Sequence, residues 1–218
     1  MSEPANAPEV VLEDQAVFER LDTRGLTLLK AQYRATGTAT LGPPALTMAW
    51  HAALVAEATQ QLQVDGWVLS GTRERGEIEQ HNRRARLGAV ARAYLSSKAV
   101  TGLLRAVTGE ALSPAWSASC YTRYDGPCEH MGEHCDKPQA CAFALLSYLE
   151  AFVPAGAQPS QGLQLFVFRG DSSATPLAVR ISARSNRVVV LNGAEQAHLR
   201  PPLDSGQFVM LLAGCFQR

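Results

Sequence analysis

From Pro114 onward the chain is a series of short apolar segments punctuated by Gly, Pro, Ser and Asn, at 117–124, 140–149, 162–169, 177–181, 187–191 and 207–212. Runs of this length bounded by turn formers read as strands, and a series of them reads as a compact antiparallel sandwich or barrel. Before Pro114 the period changes. Leu46, Trp50, Ala53 and Leu54 follow Pro43-Pro44 at helical spacing. Leu87, Val90, Ala91, Tyr94 and Leu95 form a second apolar stripe. Val100, Leu103, Leu104 and Val107 form a third, opened by Ser96 or Ser97 and closed near Gly109. Short strands are expected at 25–29 and 66–70. The charged run 73–86 mixes both signs and reads as a solvated helix face, with a substrate-facing lid as the alternative. Helices first and strands second predict an α+β chain, its helices packed on one side of a β core. The expected division is a disordered tail at 1–10 and one domain over 11–218. Within it, 11–113 is a mainly helical flank and 114–218 is the β core.

Composition narrows the function. The chain has 218 residues, 46% hydrophobic and 18% charged, which suits a soluble domain with a proper core. Its formal net charge is zero, so it carries no electrostatic footprint of a nucleic-acid binder. No apolar run approaches the roughly 20 residues of a membrane span. The N-terminus lacks the basic start and apolar stretch of an export signal. Five cysteines, at 120, 128, 135, 141 and 215, are therefore expected as free thiols in a reducing cytoplasm.

The β half carries the chemistry. His134-Cys135-Asp136 places an imidazole and a carboxylate at i and i+2, which on an extended segment point to the same side. His198, bracketed by Asn192-Gly193 and Pro201-Pro202, can supply a second imidazole from a neighbouring strand. Two histidines and one carboxylate form the facial triad of non-haem Fe(II), which leaves coordination positions open. His134 and Asp136 are expected in a turn-rich loop before the segment at 140, and His198 between two strands, at the mouth of a small barrel. Three other patterns are weaker. His130-Met-Gly-Glu133-His134 fits a zinc peptidase motif, but only on a helix, and Gly126-Pro127, Gly132 and Pro138 oppose one. The cysteines lack the Cys-x-x-Cys pair of a structural zinc site. Arg169-Gly-Asp171 reads as a turn.

From about Ser96 to the C-terminus the chain resembles the Fe(II)/2-oxoglutarate-dependent oxygenases, nearest to their prolyl-hydroxylase-like branch. Tyr121-Thr-Arg-Tyr124-Asp-Gly126 leads to His134-Cys-Asp136. There follow Ala144-Leu-Leu-Ser-Tyr148-Leu149, Gly162-Leu-Gln-Leu-Phe166 and Asn186-Arg-Val-Val-Val-Leu-Asn192. His198-Leu-Arg-Pro-Pro202-Leu-Asp-Ser-Gly206 closes the pattern. The resemblance implies a double-stranded β-helix (jelly-roll) core. It implies iron held by His134, Asp136 and His198, with O2 and 2-oxoglutarate as co-substrates. The family's Arg two residues after the closing Gly is replaced here by Phe208. Arg200 is the first expected substitute for binding the co-acid and Arg187 the second, with Arg180 and Arg169 on neighbouring strands behind them. Tyr124 and Tyr148 are expected hydrogen-bonding partners. A carboxylate at Asp136, where halogenases of the superfamily carry a small residue, favours hydroxylation or related C–H oxidation of a small-molecule or amino-acid-like substrate. Phe208 motivates an alternative from a different class, a non-catalytic binding or scaffold protein.

Overall fold

The computed structural model describes residues 16–72 and 77–218, so the expected tail at 1–10 lies outside the described residues. The first element is a helix, α1 (Thr23–Thr36). Asp22 caps it by accepting the Gly25 N–H at 2.7 Å, and Gly37 ends it at φ 68°, a conformation that glycine adopts without a Cβ penalty. The strand expected at 25–29 is thus corrected. A short apolar run does not reveal its own period; Leu26, Leu29 and Tyr33, all packed on the core, reveal a helical one. Strand β1 (Thr38–Leu41) follows, then α2 (Met48–Val64), which buries Trp50, Leu54, Ala58 and Leu62. This helix begins beyond Pro43-Pro44 rather than at it.

Strand β2 (Trp67–Gly71) meets the sequence expectation, and β3 (Gln80–Ala85) overturns one. The second part of the charged run is not a helix face. It pairs with β2 on one side and with two later strands on the other. Charged residues with reasonable helix propensity become a strand because the sheet supplies hydrogen-bond partners on both sides, so tertiary context outweighs a weak local preference. Helices α3 (Ala89–Ser96) and α4 (Lys98–Thr108) fall where the apolar stripes place them, with Ser97 capping α4 and Gly109 ending it at φ 83°.

The remaining strands are β4 (Ser113–Pro114), β5 (Cys120–Asp125), β6 (His130–His134), β7 (Phe143–Phe152), β8 (Gln164–Phe168), β9 (Leu177–Ser182), β10 (Arg187–Leu191), β11 (His198–Arg200) and β12 (Phe208–Gln217). They join β1 to β3 in one antiparallel sheet of order β1-β10-β7-β12-β5-β3-β6-β11-β8-β9, with β2 on β3 and β4 on β12. The sheet curls into a half-barrel of the double-stranded β-helix type, with the N-terminal helices packed on its outside. Alternation along each strand divides the core. On β12, Met210, Leu212 and Phe216 face the helices, while Val209, Leu211 and Cys215 face the barrel interior.

One expectation about the thiols is corrected. Cys141 and Cys215 form a disulfide, with Cα atoms 4.8 Å apart; Cys120, Cys128 and Cys135 are free. The β7–β12 register sets Ala144 opposite Cys215 and so carries Cys141, just before β7, to the same end of the strand. A sequence separation of 74 residues hides this proximity. Among the described residues no helix is long and apolar enough to cross a membrane.

Candidate metal centre

Strands β6 and β11 build the centre. They pair antiparallel, and their register sets His134 directly opposite His198, with ring centroids 4.3 Å apart. Asp136 follows two residues after His134, its Nε2–Oδ1 distance from that ring being 3.6 Å. The three residues offer ligand atoms all within 4.8 Å of one another. The loop expected around these ligands is therefore more ordered than the sequence suggests: His134 ends a strand and His198 begins one.

Each ring is oriented by its own segment. His134 Nδ1 lies 3.0 Å from the Gly132 carbonyl, and His198 Nδ1 lies 3.0 Å from the Gln196 carbonyl. A carbonyl can only accept, so both Nδ1 atoms carry the proton and both Nε2 lone pairs are free for a metal. The electrostatics agree. Burial, reinforced by the nearby His134, lowers the His198 pKa from 6.5 to about 4, so its ring is neutral as a ligand must be. Burial pushes the Asp136 carboxyl upward, but the adjacent His134 and His198 rings and the Arg84 guanidinium outweigh this, and its pKa is lowered on balance. Gly193 shapes the carboxylate's seat: its carbonyl accepts the Asp136 N–H at 2.8 Å, and a Cβ there would collide with Oδ2. The donor set fits Fe(II), with nitrogen and oxygen ligands on one side only.

The zinc peptidase arrangement is overturned. Residues 130–134 form β6, not a helix. His130 lies outside the cluster, with Nδ1 against the Cys128 carbonyl, and Glu133 instead binds Ser173.

No family model matches the chain, and no curated protein matches it. Solved structures do. The non-haem α-ketoglutarate-dependent epimerase SnoN from nogalamycin biosynthesis superposes with a TM-score of 0.69 at 13% identity, over 90% of this chain and 82% of that one. A prolyl-4-hydroxylase from Pseudomonas putida gives 0.59 at 17% identity, over 88% and 98%. A prolyl hydroxylase from Trichoplax adhaerens, in complex with a hypoxia-inducible-factor peptide fragment, gives 0.64 at 16%, over 88% and 89%. The chain has the fold of the Fe(II)/2-oxoglutarate-dependent oxygenases. Its structural neighbours include the prolyl-hydroxylase branch that the sequence resembles, and its His/Asp/His triad is consistent with the metal centre of such an enzyme.

In this oxygenase fold two cavities meet at the triad. The inner one, about 120 Å³, runs into the barrel past His134, Asp136 and His198 to Tyr124 and Arg200. Arg200 and His198 are both buried and stand at i and i+2 on β11, so they share a face. The Arg200 guanidinium donates to the Gly162 carbonyl and to the Tyr148 hydroxyl, each at 2.8 Å, and lies beside the Tyr124 and Tyr148 rings. Among the described residues no carboxylate forms an ion pair with it. Tyr124 also lines this cavity, and burial pushes its pKa up to about 12, so its hydroxyl remains a donor.

The other expected cations lie elsewhere. Arg187 begins β10 and donates to the Ser182 carbonyl, away from the cavity. Arg180 lies against Phe166, and Arg169 reaches toward the Ala35 carbonyl. Phe208 stacks on Phe152 at 5.5 Å beneath the Arg123 guanidinium, whereas its neighbour Val209 faces the interior. Two contributors are new relative to the sequence reading. Gly193 was legible only as a turn former, and Arg84, which borders both cavities, was masked by the charged run around it.

Proposed function

We propose that this chain is an Fe(II)- and 2-oxoglutarate-dependent oxygenase that oxidises a C–H bond of a small organic substrate. The observation that carries the co-substrate is Arg200: a permanent cation buried at the end of the inner cavity, without a carboxylate partner among the described residues. An unpaired buried charge is expensive, and an anionic ligand relieves it. His134, Asp136 and His198 would hold the metal. Arg200 would bind the distal carboxylate of 2-oxoglutarate, supported by the hydroxyls of Tyr148 and Tyr124. When bound, iron and the co-acid supply, with O2, the oxidising power for C–H cleavage. The protein holds the reactants in place, keeps His198 neutral, and walls the inner cavity with apolar side chains that exclude water.

Asp136 occupies the position that a halide would need, so oxygenation or dehydrogenation is the outcome proposed. The non-catalytic alternative drew on Phe208. That side chain faces out of the barrel, so its identity does not bear on the interior, and the alternative loses its motive. The test is an anaerobic titration of the Fe(II) protein with 2-oxoglutarate. A weak visible charge-transfer band is expected, followed by 2-oxoglutarate-dependent oxygen uptake on aeration. Bound iron with neither band nor uptake at millimolar co-acid would remove the co-substrate and leave the metal site.

A further inference from the structure

The outer cavity, about 760 Å³, opens over His134 and Asp136 and is large enough for a drug-sized ligand. Its lining is charged in one sense. Arg86 follows β3, Arg92 projects from α3, Lys137 follows the carboxylate ligand, and Arg84 sits at the border with the inner cavity. The only carboxylate among the described lining residues is Asp136, which a metal would neutralise. Among the described residues none of these four cations has an ion-pair partner. The whole chain balances 20 basic against 20 acidic side chains, so this concentration of one sign is not inherited from composition.

Two tryptophans line the same cavity. Trp67 is 41% exposed and Trp116 38%, although large aromatic side chains usually bury themselves where they can. The Arg92 guanidinium lies 5.3 Å from the centre of the Trp116 ring, so cation and aromatic surface form one unit. Confined cations focus an anion, and exposed indoles offer flat apolar surface.

We infer that the substrate is an organic anion bearing a flat ring system. Its ring lies against Trp67 and Trp116, and its carboxylate, sulfonate or phosphate group is held by Arg86 and Arg92. This rests on reading the triad as the reaction centre, but the binding step needs no metal.

The test uses metal-free protein and three probes: 2-naphthoate, its neutral analogue 2-naphthamide, and the saturated anion decalin-2-carboxylate. Binding is followed by calorimetry and by quenching of tryptophan fluorescence. Saturable 2-naphthoate binding is expected, weakening as salt rises, with the amide at least about tenfold weaker. Arg86→Gln combined with Arg92→Gln should bring naphthoate down to the level of the amide. Trp116→Leu should weaken naphthoate but not the decalin acid. Equal affinity for naphthoate and amide, indifference to the arginine substitutions, or no saturable binding at low millimolar concentration would each overturn the inference. Mn(II) affinity, measured on the same variants, separates the two readings. Naphthoate binding without Mn(II) binding would sink the metal centre alone, and the reverse would sink the anion site alone.

Discussion

Replacing Arg200 by Met separates affinity for the co-acid from stability. Met roughly matches the length of the side chain and removes the charge. In the unliganded protein the substitution deletes two charge-assisted hydrogen bonds, to the Gly162 carbonyl and the Tyr148 hydroxyl. These contribute about 1.5–3 kcal/mol each. It also removes the desolvation penalty of an arginine buried without a carboxylate, several kcal/mol in the opposite direction. The two nearly cancel, so stability should change by no more than about 2 kcal/mol, a small shift for a chain of this size. With 2-oxoglutarate present the balance is different. Removing the cation leaves the distal carboxylate buried and unpaired, which costs about 2–5 kcal/mol, or roughly 30-fold to a few thousand-fold in Kd. Calorimetric titration of the Mn(II)-loaded protein with 2-oxoglutarate measures this, and a thermal melt of the metal-free protein measures the other quantity. Arg200→Lys should fall between, since an ammonium keeps the charge and loses the planar fork. A co-acid affinity within threefold of the parent, with metal binding intact, would refute the assignment of Arg200.

Three further outcomes are expected. Ala at His134, Asp136 or His198 should each weaken Mn(II) binding by orders of magnitude in calorimetry, whereas His130→Ala should leave it unchanged; an equal loss at His130 would contradict the triad. Because the His198 pKa, about 4, lies below its ordinary 6.5, the unfolded chain takes up the proton first. Metal-free stability should therefore be complete above pH 6.5 and fall by roughly 3 kcal/mol toward pH 4, a loss that His198→Leu should abolish in melts across that window. The lowered pKa of Asp136 acts in the same direction only below the ordinary carboxylate range, outside that interval. Opening the Cys141–Cys215 disulfide, which spans 74 residues, should cost about 4 kcal/mol on the loop-entropy account. A Cys215→Ala protein that melts with the parent would contradict a closed disulfide.

The sequence was legible where one physical signal dominates. Helix α4 was found to within a residue because an apolar stripe, a serine cap and a terminal glycine all agree. His134 and Asp136 were expected side by side because alternation on an extended segment turns i and i+2 to one side, and the structure brings both to His198. What escaped depends on partners distant in sequence. Strand β3 reads as a charged helix face until β2, β5 and β6 are beside it. Strands β6 and β11 are short and carry the polar side chains of the centre itself, so they lack the apolar alternation that announces a strand. The disulfide depends on the β7–β12 register, which no local pattern encodes.

The outward Phe208 and the inward Arg200 follow from the same geometry. The family's motif places a cation on the strand after the closing glycine, yet here the alternation of β12 turns position 208 toward the Arg123 guanidinium and gives the interior to Val209. A cation at 208 would therefore meet another cation outside the barrel and supply nothing to the inner cavity. Position 200 has the opposite geometry. It stands two residues after His198 on β11, so the period of two that turns His198 toward the inner cavity also turns Arg200 into it. On the proposed reading, Arg200 on β11 would supply to the inner cavity the charge that position 208 does not.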